Sequence, residues 1–224
     1  TMNAFVQEIN KVSNKKIVTL EDPIEYVHES DKSIIVQREI GPESDVLSYY
    51  DGLINLLRED ADVAVVGEIR DRKTMDVAID LAESGGLVIG TLHTRSCGET
   101  LERIINLYDP ADQVSIKNTM SNVLKIVISQ KLVVSVKDEL LMVPEIMIVN
   151  NSIAAHIRQE KFSTSDIEDA IHAQSENGSL SFELSFADLY TRGLIEMQTI
   201  IDNIPPERLE IVKSNIISSG KNLN

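Results

Sequence analysis

Asp62-Val63-Ala64-Val65-Val66-Gly67-Glu68-Ile69-Arg70-Asp71 decides the fold. Four apolar residues run without a polar interruption and then stop at a glycine and an acid. So short and uninterrupted a run suits a strand covered by helices on both faces, as in a parallel sheet. Two segments of similar build flank it. Upstream, Thr19-Leu20-Glu21-Asp22-Pro23-Ile24-Glu25-Tyr26 ends an apolar run in paired acids. Downstream, Gly86-Leu87-Val88-Ile89-Gly90-Thr91-Leu92-His93-Thr94 ends one in a histidine between threonines. In an open parallel sheet such ends collect at the carboxyl edge, where ligands bind. One strand of this kind is common, but three in this order are hard to explain as core packing alone.

Working outward, residues 1–150 alternate helix and strand, which predicts an α/β layer fold. The chain opens in a helix with Ala4, Phe5, Ile9 and Val12 on one face. Strands are expected over residues 16–20, 33–37, 63–66 and 87–92. Helices are expected over 46–58, 74–84 and 98–107, and from Pro110 to about Val127. In the 46–58 helix Leu47, Tyr50, Leu53, Ile54 and Leu57 share a face. Residues 127–136 and 140–149 can pair as a hairpin across Lys137-Asp138-Glu139. After Asn150-Asn151 the strands stop, and residues 152–160, 165–174, 181–191 and 205–217 read as helices. Ser163 is the expected cap of the second. The expected division is a core over residues 1–150 and a helical subdomain over 151–224.

Composition narrows the function. With 224 residues, 42% hydrophobic and 25% charged, the chain can bury a full core. No apolar stretch approaches the ~20 residues that span a bilayer; residues 143–149, among the longest, contain Pro144 and Glu145. No basic-then-apolar leader opens the chain, so a cytoplasmic location is expected. A single cysteine, Cys97, excludes an internal disulfide and a four-cysteine zinc site. His28, His93, His156 and His172 show no ligand-pair spacing. A net charge of −15 repels a phosphate backbone and counts against nucleic acid as partner.

Glu68, one glycine past a buried strand, is placed to orient and deprotonate a water or to hold a water of Mg²⁺. Its alternatives are a pair with Arg70 or a cap on the next helix. Glu21 and Asp22 suit a hydrated Mg²⁺, or form a plain Asp-Pro turn. His93 either senses a terminal phosphate or hydrogen-bonds structurally. Arg38 and Arg58 are candidates to neutralise phosphoryl charge; their alternatives are a pair with Glu39 and compensation of a helix end. The chain has no G-x-x-x-x-G-K-S/T phosphate loop.

These segments together resemble the secretion-ATPase superfamily, which includes the motors of type IV pili and of type II secretion. Residues 19–26 resemble its acidic box, 66–71 its atypical Walker B motif with Glu68 as catalytic acid, and 90–94 its histidine box. Val36-Gln37-Arg38-Glu39 and Leu57-Arg58-Glu59-Asp60 match segments whose arginines contact nucleotide phosphates in the family. The similarity covers residues 1–150 and, more weakly, continues to about residue 200. It implies a RecA-like P-loop NTPase core, three-layer α/β, with a C-terminal helical subdomain. Glu68, Glu21 and His93 would be catalytic, with Glu21 holding Mg²⁺ through water, and ATP the substrate. A homo-hexamer working on an inner-membrane pilus platform protein, at the cytoplasmic face of the inner membrane, is likewise implied.

The family's phosphate loop ends Gly-Lys-Ser-Thr-Thr, and Thr1-Met2 fits the residues just past it. The chain is therefore expected to start after that loop and to be inactive alone. Assembly motors of the superfamily usually carry a tetracysteine insert after the histidine box. Here Ser129-Gln130-Lys131-Leu132 runs straight into an apolar stretch. That resembles the retraction (twitching-motility) ATPases, PilT in type. Their Ala-Ile-Arg-Asn-Leu-Ile-Arg-Glu segment corresponds to Ser152-Ile153-Ala154-Ala155-His156-Ile157-Arg158-Gln159, which keeps Ile153, Ile157 and Arg158. A pilus-assembly or type II secretion ATPase and a non-catalytic ring subunit are the alternatives.

Overall fold

Val63–Val66 is buried over its whole length and lies third in a sheet of four parallel strands. The computed structural model of the chain describes residues 1–220 and divides into two compact units, residues 1–93 and residues 94 onward. The first unit runs α1 (Met2–Val12), β1 (Lys16–Glu21), β2 (Ile34–Glu39), α2 (Tyr49–Leu56), β3 (Val63–Val66), α3 (Arg72–Glu83) and β4 (Leu87–Gly90). Spatial strand order is β2-β1-β3-β4. Leu20 lies beside Val66, Val66 beside Gly90, and Glu21 beside Glu39, so the strands end level with one another. The direction of winding reverses between β1 and β3, and the crevice at such a switch point is where open α/β sheets bind ligands.

Alternate strand residues face opposite layers. Ile17, Val63 and Val65 turn toward Val6, Met2 and Ile9 of α1. Leu20 turns toward α2, where a Cβ on Gly52 would lie 2.7 Å from its methyl carbon. Helices thus cover both sheet faces, giving three layers. The buried stripe of α1 is Val6 and Asn10, whereas Phe5 and Val12 are exposed, contrary to the expected face. Asn10 is buried because its side chain binds the loop before β2, donating to Glu29 O and accepting from Asp31 N and Ser33 N. Likewise α2 starts at Tyr49, capped by Ser48, which accepts from Asp51 N at 3.1 Å. Leu47 therefore falls outside the helix, and the buried face is Gly52, Leu53 and Leu56.

The second unit runs α4 (Cys97–Asn106), α5 (Gln113–Val123), the antiparallel pair β5 (Ile126–Val134) and β6 (Leu140–Ile148), then α6 (Asn151–Ile157), α7 (Thr164–Ala173), α8 (Phe182–Thr191), α9 (Met197–Asn203) and α10 (Leu209–Ser218). Val133 and Val143 of the hairpin share one core with Phe182, Phe186, Ile200, Val212 and Ile216. Ser163 caps α7 as expected, accepting from Asp166 N at 3.3 Å. The helix expected up to Val127 stops at Val123, and Val127 belongs to β5. The segment expected as one helix over 205–217 opens with a 3₁₀ turn, Pro206–Arg208. Because α4, α5 and the hairpin pack with the later helices, the compact division precedes residue 150. The end of the expected 151–224 subdomain, residues 221–224, lies outside the described residues.

Candidate active site at the carboxyl edge

Gly67 follows β3, and its N–H donates to Leu20 O at 2.8 Å, tying the ends of β3 and β1 together. A Cβ at Gly67 would stand 2.7 Å from the Tyr49 hydroxyl and 3.1 Å from Leu20 O, so a side chain here would have to displace Tyr49 and crowd β1. Thr91 secures the other side: its hydroxyl donates to Gly67 O, and its carbonyl accepts from Ile69 N at 2.9 Å. Asp71, not Glu68, caps α3, accepting from Thr74 N at 2.9 Å. The backbone on both sides of Glu68 is thereby fixed.

The Glu68 side chain is only 12% exposed. Its Oε1 pairs with Arg70 Nη2, and its Oε2 lies 3.2 Å from His93 Nε2. The Arg70 hydrogen bond, working against burial, holds the Glu68 carboxyl below the usual glutamate range, with further help from the Arg70 charge and from His93. Glu68 is thus an ionised carboxylate at neutral pH. His93 reaches it from a left-handed backbone, φ +50°, a conformation uncommon outside glycine.

Glu21 ends β1 on the adjacent strand. Its Oε1 accepts from Thr19 Oγ1 at 2.6 Å and from Gln37 Nε2 at 2.9 Å. Among the described residues its Oε2 takes no hydrogen bond, and Asp22 beside it is exposed. Among the described residues no group of three or more His, Cys, Asp or Glu is arranged to hold a metal. The oxygens of Glu21 and Asp22 still fit Mg²⁺, which keeps several waters and borrows phosphate oxygens.

Tyr49 is a member of this edge that the strand-end pattern does not mark. Burial first, then the charges of Asp22 and Glu68, raise its phenol above the ordinary range, partly offset by Arg70. The signal for it is Gly67, since a glycine at a strand end marks a close approach. The two arginines fare differently. Gln37 faces Glu21, so its neighbour Arg38 turns to the other face, where Nη1 and Nη2 each donate to Glu59 at 2.9 Å. Arg58 is exposed and makes no ion pair among the described residues. The structure therefore brings Glu68 and His93 into contact and places Glu21 on the next strand end. Neither arginine contacts these three among the described residues.

Known proteins resemble this chain in sequence and in fold. A match to the family described as "Type II/IV secretion system protein" covers residues 1–179. The type IV pilus retraction ATPase PilT of Pseudomonas aeruginosa is 34% identical over 198 residues, 88% of this chain and 56% of that protein. A twitching motility protein of Neisseria gonorrhoeae is 36% identical over 196 residues, 87% of this chain and 51% of that protein. The crystal structure of the pilus retraction motor PilT with bound ADP matches with a TM-score of 0.84 at 34% identity, covering 94% of this chain and 59% of that one. The chain spans about half the length of the curated relatives it matches. It is a member of the type II/IV secretion system protein family.

Proposed function

We propose that the full-length protein is an ATP-hydrolysing motor that powers type IV pilus retraction. The observation that carries the reading is the ionised Glu68 at the β1/β3 switch point, hydrogen-bonded to His93. A carboxylate fixed there takes the proton of an attacking water, a contribution of about 10²–10⁴ in rate. His93, exposed above it, donates to the terminal phosphate. Glu21, through its open Oε2, holds Mg²⁺ by way of water, and Asp22 adds a second oxygen. Bound Mg²⁺ supplies positive charge to the phosphate oxygens. Arg58, free of ion pairs among the described residues, contacts phosphate, and Arg38 does so on leaving Glu59. The functional core is read over residues 1–150, which spans the first compact unit and the opening of the second. Six copies form a ring at the cytoplasmic face of the inner membrane and act on a pilus platform protein. Support comes from relatives named as retraction ATPases and from the PilT structure with ADP.

Residues 1–224 contain no phosphate loop, so turnover is expected of the full-length protein and not of this stretch alone. Deleting the gene tests the direction of work. Surface pili that persist but no longer retract, with loss of twitching, are expected. A bald strain identifies an assembly motor instead, and unchanged pili and motility identify a secretion or accessory role.

A further inference from the structure

Both oxygens of Glu68 are engaged, one by Arg70 and one by His93. A carboxylate paired with a guanidinium is a weak base, because the positive charge stabilises the form that must accept a proton. The two donors are also the outer layer of the site: Arg70 and His93 are 70% and 73% exposed, against 12% for Glu68 beneath them. A ligand arriving at the carboxyl edge meets the donors before it meets the acid. The guanidinium is held as a cation chiefly by its hydrogen bond to Glu68, with Asp22 among the charges acting on it. Its backbone does not need to move, since Asp71 caps α3 and Ile69 N is bound to Thr91 O.

We propose that Arg70 is a contact for the terminal phosphoryl group of a bound nucleoside triphosphate, and that in taking up this group it releases Glu68 to act as base. A guanidinium exchanges one oxyanion for another at little cost, because its planar fork binds carboxylate and phosphate alike. A nucleoside diphosphate presents no group at that position and leaves Glu68 paired. The site thus couples the arrival of the third phosphate to the appearance of the base. The inference rests on the ATPase reading above and adds a residue and an order of events to it.

Calorimetric titration of the full-length protein with ADP and with a non-hydrolysable ATP analogue tests it. Arg70→Ala is expected to weaken the analogue by ~10-fold or more, one charge-assisted contact, and to leave ADP within about twofold. Arg70→Lys, which guards against a fold defect, should recover part of the loss. Glu68→Gln removes the competing carboxylate, so it should tighten the analogue when Arg70 is present and have no effect in the Arg70→Ala background. Equal losses for both nucleotides, or none, overturn the proposal, as does an additive double variant. If the unaltered protein hydrolyses ATP while these results fail, the ATPase reading stands and the role of Arg70 falls. If the unaltered protein binds neither nucleotide, both fall.

Discussion

Glu68 in the first unit is partly buried and Glu145 in the second fully buried, and their acidities shift in opposite senses. Glu68, 12% exposed, is held below the usual range by Arg70 and His93. Glu145, 2% exposed, is pushed up to about 7 by burial first, with the charges of Glu168 and Glu183 adding to it. Glu145 does have donors, the Cys97 N–H at 2.6 Å and the Cys97 thiol, but these neutral dipoles do not replace its lost water. The cation that feels its charge, Lys131, donates to Asn203 O at 2.8 Å. A hydrogen-bonded guanidinium on the less buried acid, and deep burial without one on the other, set the two directions.

The largest expected effect tests the functional side of the contrast. Glu68→Gln in the full-length protein keeps size and hydrogen-bonding shape but removes the basic oxygen. Steady-state kinetics should show kcat reduced by roughly 10²–10⁴-fold with ATP binding retained. Normal turnover at saturation combined with lost binding would make Glu68 structural, equivalent in role to Glu145.

Strand-end acids are legible because core packing alone gives a short apolar run in a parallel sheet no reason to stop at a charge. The sequence accordingly locates Glu21, Glu68 and His93, and the family, from three segments. Which face a residue takes is harder to see. Arg38 and Gln37 differ by one position, and one position reverses the face of a strand; only the partners, Glu59 and Glu21, show which is which. On α1 the apolar repeat points to Phe5 and Val12 because the stripe actually buried includes a polar residue, Asn10. Its burial depends on backbone groups some twenty residues on, which no local period records. The short helix α9, seven residues, falls between longer apolar patterns and leaves no period of its own. Tyr49 needs the three-dimensional closeness of α2 to Gly67.

A second test takes up Glu145. Its folded-state pKa, about 7, lies above the ordinary value of 4.5. The folded state therefore binds the proton more tightly than the unfolded chain. The stabilisation this gives is fully present below about pH 4.5 and is lost as pH rises through about 7. The difference corresponds to on the order of 3 kcal/mol. Urea unfolding of residues 1–224 between pH 4.5 and 8 should show that decline, and Glu145→Gln, neutral throughout, should flatten it. An unchanged slope in the variant would mean that Glu145 is charged in the fold and that burial does not govern it.

The smallest expected effect comes from a third carboxylate, Glu59, which has a cation but little burial. Arg38 binds it through two hydrogen bonds of 2.9 Å, and Lys16 Nζ lies 3.6 Å away. The Arg38 hydrogen bond is the first cause of its lowered pKa. Side-chain exposures of 22% for Arg38 and 30% for Glu59 leave much of the pair in water, where Coulomb attraction is screened. A double-mutant cycle of Arg38→Ala and Glu59→Gln should therefore give a coupling of about 0.2–1 kcal/mol at neutral pH. Because the folded pKa is depressed, that coupling is present above the ordinary glutamate value and fades as pH falls below it. A coupling of several kcal/mol would show that a cation stabilises the fold as strongly as it fixes ionisation. The small value expected keeps the two apart: at a pair still open to water, a partner charge lowers a carboxyl's pKa while adding little to stability.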